Sequence, residues 1–206
     1  MQPFGEKDVE ISSIIERYQG FFKVNEYHIK HALFAGGMTN SFTREVFERG
    51  DGVVLLPYDP NNDRVVLQQQ FRVGAIRAGE NPWLLECVAG MFGKSESPID
   101  VAVREAQEEA NLIVSPEDIE PIFKYFASPG GSTEAIHLYV GKVDSTDVGG
   151  VFGLPAENED ILVQTFSREE ALSLLNEGKI TNAATIIGLQ WLAMNYQSLR
   201  EKWRNK

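Results

Sequence analysis

The stretch REAQEEAN, Arg104 to Asn111, crowds three carboxylates into the five residues 105–109. Glu105 and Glu109 stand four apart, and Glu108 lies three beyond Glu105. On a helix these positions are neighbours, and like charges at that spacing are destabilising by about 0.2–0.5 kcal/mol per pair. Arg104, four before Glu108, can bridge to it. Two readings fit. One is a solvated charged face. The other is a site for a hard divalent cation, because Mg²⁺ takes carboxylate oxygens, water and substrate phosphates. With no Cys or His cluster nearby, a hard metal fits better than zinc.

A second acidic stretch, GGVFGLPAENED, sets Glu157 and Glu159 two apart in a glycine-bearing loop. It reads either as an acidic solvent loop or as a mobile arm able to bring carboxylates to a charged substrate.

The elements that must position these groups follow from the pattern. Ser97-Pro98-Ile99-Asp100 reads as a helix start: Ser97 caps, Pro98 suits the first helical position and Asp100 reaches back. The helix then runs to about Ala110, with Ala102, Val103, Ala106 and Ala110 towards the core. Asn111 suits the left-handed conformation that ends helices. Upstream, FFKVNEYHIKHALF and SFTREVFERG read as strands around Gly36-Gly37, GVVLLPYD and RVVLQQQFRV as a hairpin, and WLLECVAGMFG as one strand entering a loop. Downstream, IEPIFKYFAS and AIHLYVGKV are strands flanking Ser128-Pro129-Gly130-Gly131, and residues 144–160 are loop. ILVQTF is a strand, and Ser167 caps a helix stopped by Gly178. A last helix, near 182–203, turns Ile186, Ile187, Leu189, Leu192 and Met194 to the core. Strands dominate early and helices are interspersed later, which predicts an α+β sandwich with an N-terminal β extension.

Composition narrows the function class. The chain of 206 residues is 43% apolar and 24% charged, with net charge −11. That balance argues against nonspecific binding to nucleic acid or to an anionic membrane. It permits a small phosphorylated substrate if arginines or a cation offset the field. Nothing in the sequence reads as a membrane span or a secretory signal, so a cytoplasmic protein is expected. Cys87 is the sole cysteine, which excludes an internal disulfide, and its apolar surroundings point to burial in a strand. His28, His31 and His137 do not make a zinc site.

From Gly90 to Leu112 the sequence is GMFGKSESPIDVAVREAQEEANL, 23 residues in which Gly90, Glu96, Arg104, Glu105, Glu108 and Glu109 keep the spacing of the Nudix box. The stretch resembles that signature of hydrolases acting on nucleoside diphosphates linked to another group. It departs at Asn111, where the family has glycine. Asn is the best non-glycine residue for a left-handed position. The wider chain, through GFF, TREVFERG, WLLECVAGM, ASPGGSTE, ENED and NAATIIGLQWL, resembles the bacterial ADP-ribose pyrophosphatase branch, as does Pro129 after the box.

The resemblance implies a Nudix α/β/α sandwich over residues 48–206. An N-terminal antiparallel β extension over 1–47 would be exchanged between the subunits of a homodimer. It implies Mg²⁺, or Mn²⁺, held by Glu105, Glu108, Glu109, Glu159 and the carbonyl of Ala89. Arg104 and Glu96 would orient these ligands, and Glu157 would be the general base. Substrate contacts are implied for Phe21 or Phe22, one stacking on adenine, although either also reads as core. Arg44, Glu45, Arg49 and Arg72 are implied for phosphates and ribose, although any one arginine also reads as a surface ion pair. Met91 and Ser128, Pro129 and Gly130 would line the site, with Glu134 contributed by the partner subunit. The expected reaction is hydrolysis of ADP-ribose to AMP and ribose 5-phosphate. The alternatives are another nucleotide sugar, such as GDP-mannose or ADP-glucose, and a non-catalytic Nudix-fold binding protein.

Overall fold

The computed structural model describes residues 4–79, 81–93 and 95–204. The chain divides into two compact units: residues up to Asp51 with Phe126–Ala135, and Gly52–Tyr125 with Ile136 onward.

The first unit is built on a three-stranded antiparallel sheet in the order β1-β2-β3. Its strands are β1 (Val9–Gln19), β2 (Lys23–His31) and β3 (Phe42–Glu48). Alternation of β-branched and polar residues suits a pleated surface. Strand β3 is also tied to the Ser128–Glu134 loop: Phe47 N–H donates to Gly131 O at 2.8 Å, and Thr133 N–H to Phe47 O at 3.1 Å. Every residue of β1 is exposed, including Ile11, Ile14, Ile15 and Tyr18.

The second unit is a mixed sheet with helices on both faces. Its strands are β4 (Gly52–Asp59), β5 (Arg64–Phe71), β6 (Trp83–Glu86), β7 (Val88–Met91), β8 (Ile119–Phe126), β9 (Ala135–Lys142), β10 (Gly150–Phe152) and β11 (Ile161–Ser167). The main path runs β10-β11-β5-β4-β9-β8, with β6 on β5 and β7 on β4. Strand β4 pairs parallel with β9 and is buried along its whole length. A strand covered on both faces reads as a continuous apolar run, and GVVLLPYD is one.

Alternate residues of the central strands feed two cores. Val54, Leu56, Tyr58, Val65, Leu67, Leu138 and Val140 pack with Ala171 of helix α2 (Arg168–Asn176) and with Leu189, Leu192, Leu199 and Trp203 of helix α3 (Ala183–Arg204). Val53, Leu55, Val66 and Val88 pack instead with Val101, Ala102, Ala106 and Ala110 of helix α1 (Pro98–Ala110). The result is the expected α/β/α layering.

The hairpin, both helix caps and the strands flanking the Ser128–Gly131 turn stand as expected. Three details do not. WLLECVAGM forms two short strands, because Cys87 N–H leaves the ladder and donates to Thr185 Oγ1 at 2.9 Å. The 144–160 segment is not all loop; it contains β10 and a 3-10 turn at Pro155–Glu157. Met194 is 76% exposed rather than turned to the core. At about 100° per residue, two positions past Leu192 is the opposite face of the helix.

Candidate active site

Helix α1 carries the acidic stripe, and its ends are fixed by sequence. Ser97 Oγ accepts from Asp100 N–H at 3.2 Å, and Asp100 Oδ2 accepts from Ser97 N–H at 3.0 Å. At the other end Asn111 adopts φ 50°, ψ 35°, the left-handed conformation, as its place in the signature requires. Between them Arg104 gathers the charges. It donates to Glu96 Oε1 at 2.8 Å, Glu105 Oε1 at 2.8 Å and Glu108 Oε2 at 2.9 Å, and to Met91 O at 3.2 Å. Glu96 Oε2 in turn accepts from Gly93 N–H at 2.6 Å, which ties the loop to the helix.

Glu109 is 2% exposed. Its Oε2 accepts from Gln68 Nε2 at 2.7 Å and from Ala89 N–H at 2.9 Å. Burial pushes its carboxyl up to about 8, against the pull of those two donors and with the charges of Glu105 and Glu159 adding to the rise. Burial likewise pushes Glu105 up to about 7; Arg104 opposes this, and Glu108 and Glu159 reinforce it. Gly90 gives the Glu105 carboxylate its room: a Cβ there would overlap Glu105 Oε1.

These observations fit a hard cation. The donors are carboxylates partly desolvated and mutually repelling, next to a backbone cradle that only glycine leaves open, and such a set gains most from a bound positive charge. Among the described residues no three acidic or histidine side chains are already drawn together as a metal cage. Arg104 occupies Glu105 and Glu108 instead.

The second acidic stretch separates its two glutamates. Glu157 ends the 3-10 turn and is exposed. Asn158 follows with φ 58°, and Glu159 folds back so that its Oε2 accepts from Leu154 N–H at 3.1 Å. Gly153, at φ 105°, permits this return; a Cβ there would come within 2.7 Å of Glu159 Cβ. The electrostatic influence of Glu159 on both Glu105 and Glu109 places its charge beside the helix.

Arg72 is engaged by a buried partner: its Nε and one terminal nitrogen each lie 2.8 Å from Glu86 Oε2. Glu86 Oε1 accepts from Asn182 Nδ2 at 2.9 Å, and Asn182 Oδ1 accepts from Thr185 N–H at 3.0 Å. Sequence reading missed Gln68, Glu86 and Asn182. The available signals were polar residues inside apolar strands and the unexplained polar start of NAATIIGLQWL.

The remaining candidates belong to the first unit. Phe21 is 88% exposed and stacks edge-on against Phe22, which meets Phe47 the same way. Arg49 pairs with Glu134 of its own chain and lies 5.8 Å over the Phe22 ring. Arg44 and Glu45 are exposed on β3, where Arg44 lies 4.7 Å over the Phe42 ring. Ser128, Pro129 and Gly130 form an exposed turn in which Ser128 O accepts from Gly131 and Ser132 N–H. In the second unit, Met91 is 37% exposed at the end of β7.

Comparison with known proteins accords with this geometry. A family model described as NUDIX domain matches residues 48–186. The chain is 50% identical to an ADP-ribose pyrophosphatase of Escherichia coli strain K12, over 97% of this chain and 95% of that protein. It is 44% identical to an ADP-ribose pyrophosphatase of Haemophilus influenzae, over 99% and 94%. A GDP-mannose pyrophosphatase of Pectobacterium atrosepticum is 35% identical over 75% of this chain and 78% of that protein. A crystal structure of an ADP compounds hydrolase superposes with TM-score 0.69 at 17% identity, covering 93% of this chain and 95% of that one, a likeness of fold. The box carried by α1, the sandwich around it and these matches lead to one assignment: the chain belongs to the NUDIX domain family.

Proposed function

We propose that this protein hydrolyses the diphosphate of ADP-ribose to AMP and ribose 5-phosphate. The observation that carries this reading is the pair of half-buried Glu105 and buried Glu109, held on one face of α1 beside Gly90. The near-full-length likeness to ADP-ribose pyrophosphatases supports the substrate.

Glu105, Glu108, Glu109, Glu159 and the carbonyl of Ala89 would hold Mg²⁺, with Mn²⁺ as substitute. The cation would offset the diphosphate charge while water attacks one phosphorus and a phosphate monoester leaves. Glu157, exposed at the turn, takes a proton from the attacking water; one P–O bond of the diphosphate breaks and the departing phosphate oxygen keeps the electron pair. Arg104 and Glu96 fix the helix and loop. Arg44, Arg49 and Arg72 are proposed to contact phosphates or ribose, since the planar guanidinium donates two parallel hydrogen bonds to such oxygens. Glu86 already sets the plane of Arg72. Phe21 or Phe22 would stack on adenine. Glu45, Met91, Ser128, Pro129, Gly130 and Glu134 would complete the contacts. Release from the negative field of a chain of net charge −11 suits an anionic product.

The exposed apolar edge strand β1 supports a homodimer in which the N-terminal sheet is exchanged, because such an edge pairs readily with another chain. Among the described residues no helix is long and apolar enough to cross a membrane. A cytoplasmic location is part of this proposal.

A second reading, GDP-mannose as substrate, has support from the 35% identical relative. A nucleotide-sugar panel with Mg²⁺ and product analysis decides. The expected result is AMP and ribose 5-phosphate, with kcat/KM highest for ADP-ribose; a higher value for GDP-mannose overturns the assignment. Glu157→Gln should lower kcat by roughly 10²–10⁴-fold while substrate still binds. Near-normal turnover removes Glu157 from its role.

A further inference from the structure

Gln68 lies in β5, opposite Val163 of β11 and Glu86 of β6, and is 1% exposed. Its Nε2 donates to Glu109 Oε2, while its Oε1 finds no hydrogen-bond partner among the described residues. A buried amide oxygen without a donor costs free energy, and leucine or methionine would fill this place without that cost. The useful part of the side chain is therefore its NH₂ group. Once Glu109 is ionised, as a metal ligand must be, turning the amide over would set Oε1 against a carboxylate oxygen, so the observed orientation is the attractive one.

Among the described residues, both hydrogen bonds to the Glu109 carboxylate fall on Oε2: Gln68 Nε2 at 2.7 Å from β5 and Ala89 N–H at 2.9 Å from β7. Two strands thus clamp one oxygen from two directions, and among the described residues Oε1 is left as the oxygen without a hydrogen bond. We propose that Gln68 is a positioning residue for the metal site, locking the Glu109 carboxylate so that Oε1 is presented to a divalent cation. The clamp also joins Glu109 to Ala89, so two of the proposed ligands are set by one arrangement. This rests on the reading that Glu109 is a metal ligand.

The test is calorimetric titration of the full-length protein with Mn²⁺, alongside thermal unfolding in EDTA. Wild type, Gln68→Met, Gln68→Asn and Glu109→Gln are compared. Methionine keeps the length and loses the donor; asparagine keeps an amide that is one carbon too short. Loss of a group that orients a metal ligand typically weakens metal affinity roughly 10–100-fold. Both Gln68 variants are expected to show that loss, with a cooperative metal-free fold. If one fails to fold, the other carries the test. Unchanged Mn²⁺ affinity in a folded Gln68 variant, even one with a lowered melting temperature, overturns the inference and leaves Gln68 as packing. Absence of binding to wild type, or equal binding to Glu109→Gln, overturns the metal reading instead.

Discussion

Replacing Glu109 by glutamine should make the metal-free protein more stable while removing a proposed metal ligand. Glu109 is 2% exposed, and burial first of all raises its carboxyl from 4.5 to about 8. An acid whose folded pKa lies above its unfolded one favours folding below the unfolded value, and that advantage is lost as pH rises through the folded pKa. The window here runs from 4.5 to about 8. At pH 7 the unfolded chain has gained ionisation that the folded chain still refuses, worth about (7 − 4.5) × 1.36, or about 3 kcal/mol. Glutamine has no such gain in the unfolded state. Its amide oxygen still accepts from Gln68 and Ala89, the donors that now serve Oε2. For a chain of this size, roughly 2–4 °C per kcal/mol gives a rise of roughly 6–12 °C. Thermal unfolding in EDTA at pH 5 and pH 7 measures it. The gap between variant and wild type should widen with pH, and added Mg²⁺ should raise the wild-type midpoint and not the variant's. A Glu109→Gln protein less stable than wild type at pH 7, or a gap independent of pH, would refute the argument.

Other perturbations probe the frame around the site. Asp59 is fully buried and accepts from Asn61, Asn62 and Ser145. Burial raises its carboxyl, but the Ser145 and Asn62 donors outweigh that and hold it at about 2, below 3.8. It should therefore contribute about 2 kcal/mol above pH 3.8 that is lost as pH falls towards 2; urea unfolding of Asp59→Ala at pH 7 and pH 3 should show a smaller deficit at the lower pH. Gly90→Ala should displace the Glu105 carboxylate, weakening Mn²⁺ binding roughly tenfold or more with little change in metal-free melting. Asn111→Ala should cost about 1 kcal/mol in chemical denaturation because of the left-handed backbone, with Asn111→Gly nearer to wild type.

How much of this was legible in sequence depended on the range of the forces involved. The α1 boundaries were legible because Ser97, Pro98, Asp100 and Asn111 act within a few residues of themselves. The carboxylate stripe was legible for the same reason: three glutamates within one turn announce a local electrostatic cost. The break at Cys87 was not, since it depends on Thr185, 98 positions away. Met194 was legible but misassigned: an apolar residue was turned inward on composition, although the Leu189, Leu192, Leu199 spacing already placed it outward.

Gln68 and Glu86 mark the boundary of what local reasoning reaches. In β5, Gln68 and Gln70 are buried at alternate positions while Gln69 is partly exposed, so QQQ has the period of a strand with its polar residues turned inward. That pattern contradicts a simple apolar core and signals a buried polar network. Its partners were hidden, because Glu109 lies 41 residues away and Asn182 lies 96 from Glu86. Only the order of strands brings them together. The acidic helix announces that a positive charge is wanted. The glutamine in a neighbouring strand selects which oxygen of Glu109 is held, and that selection required the sheet.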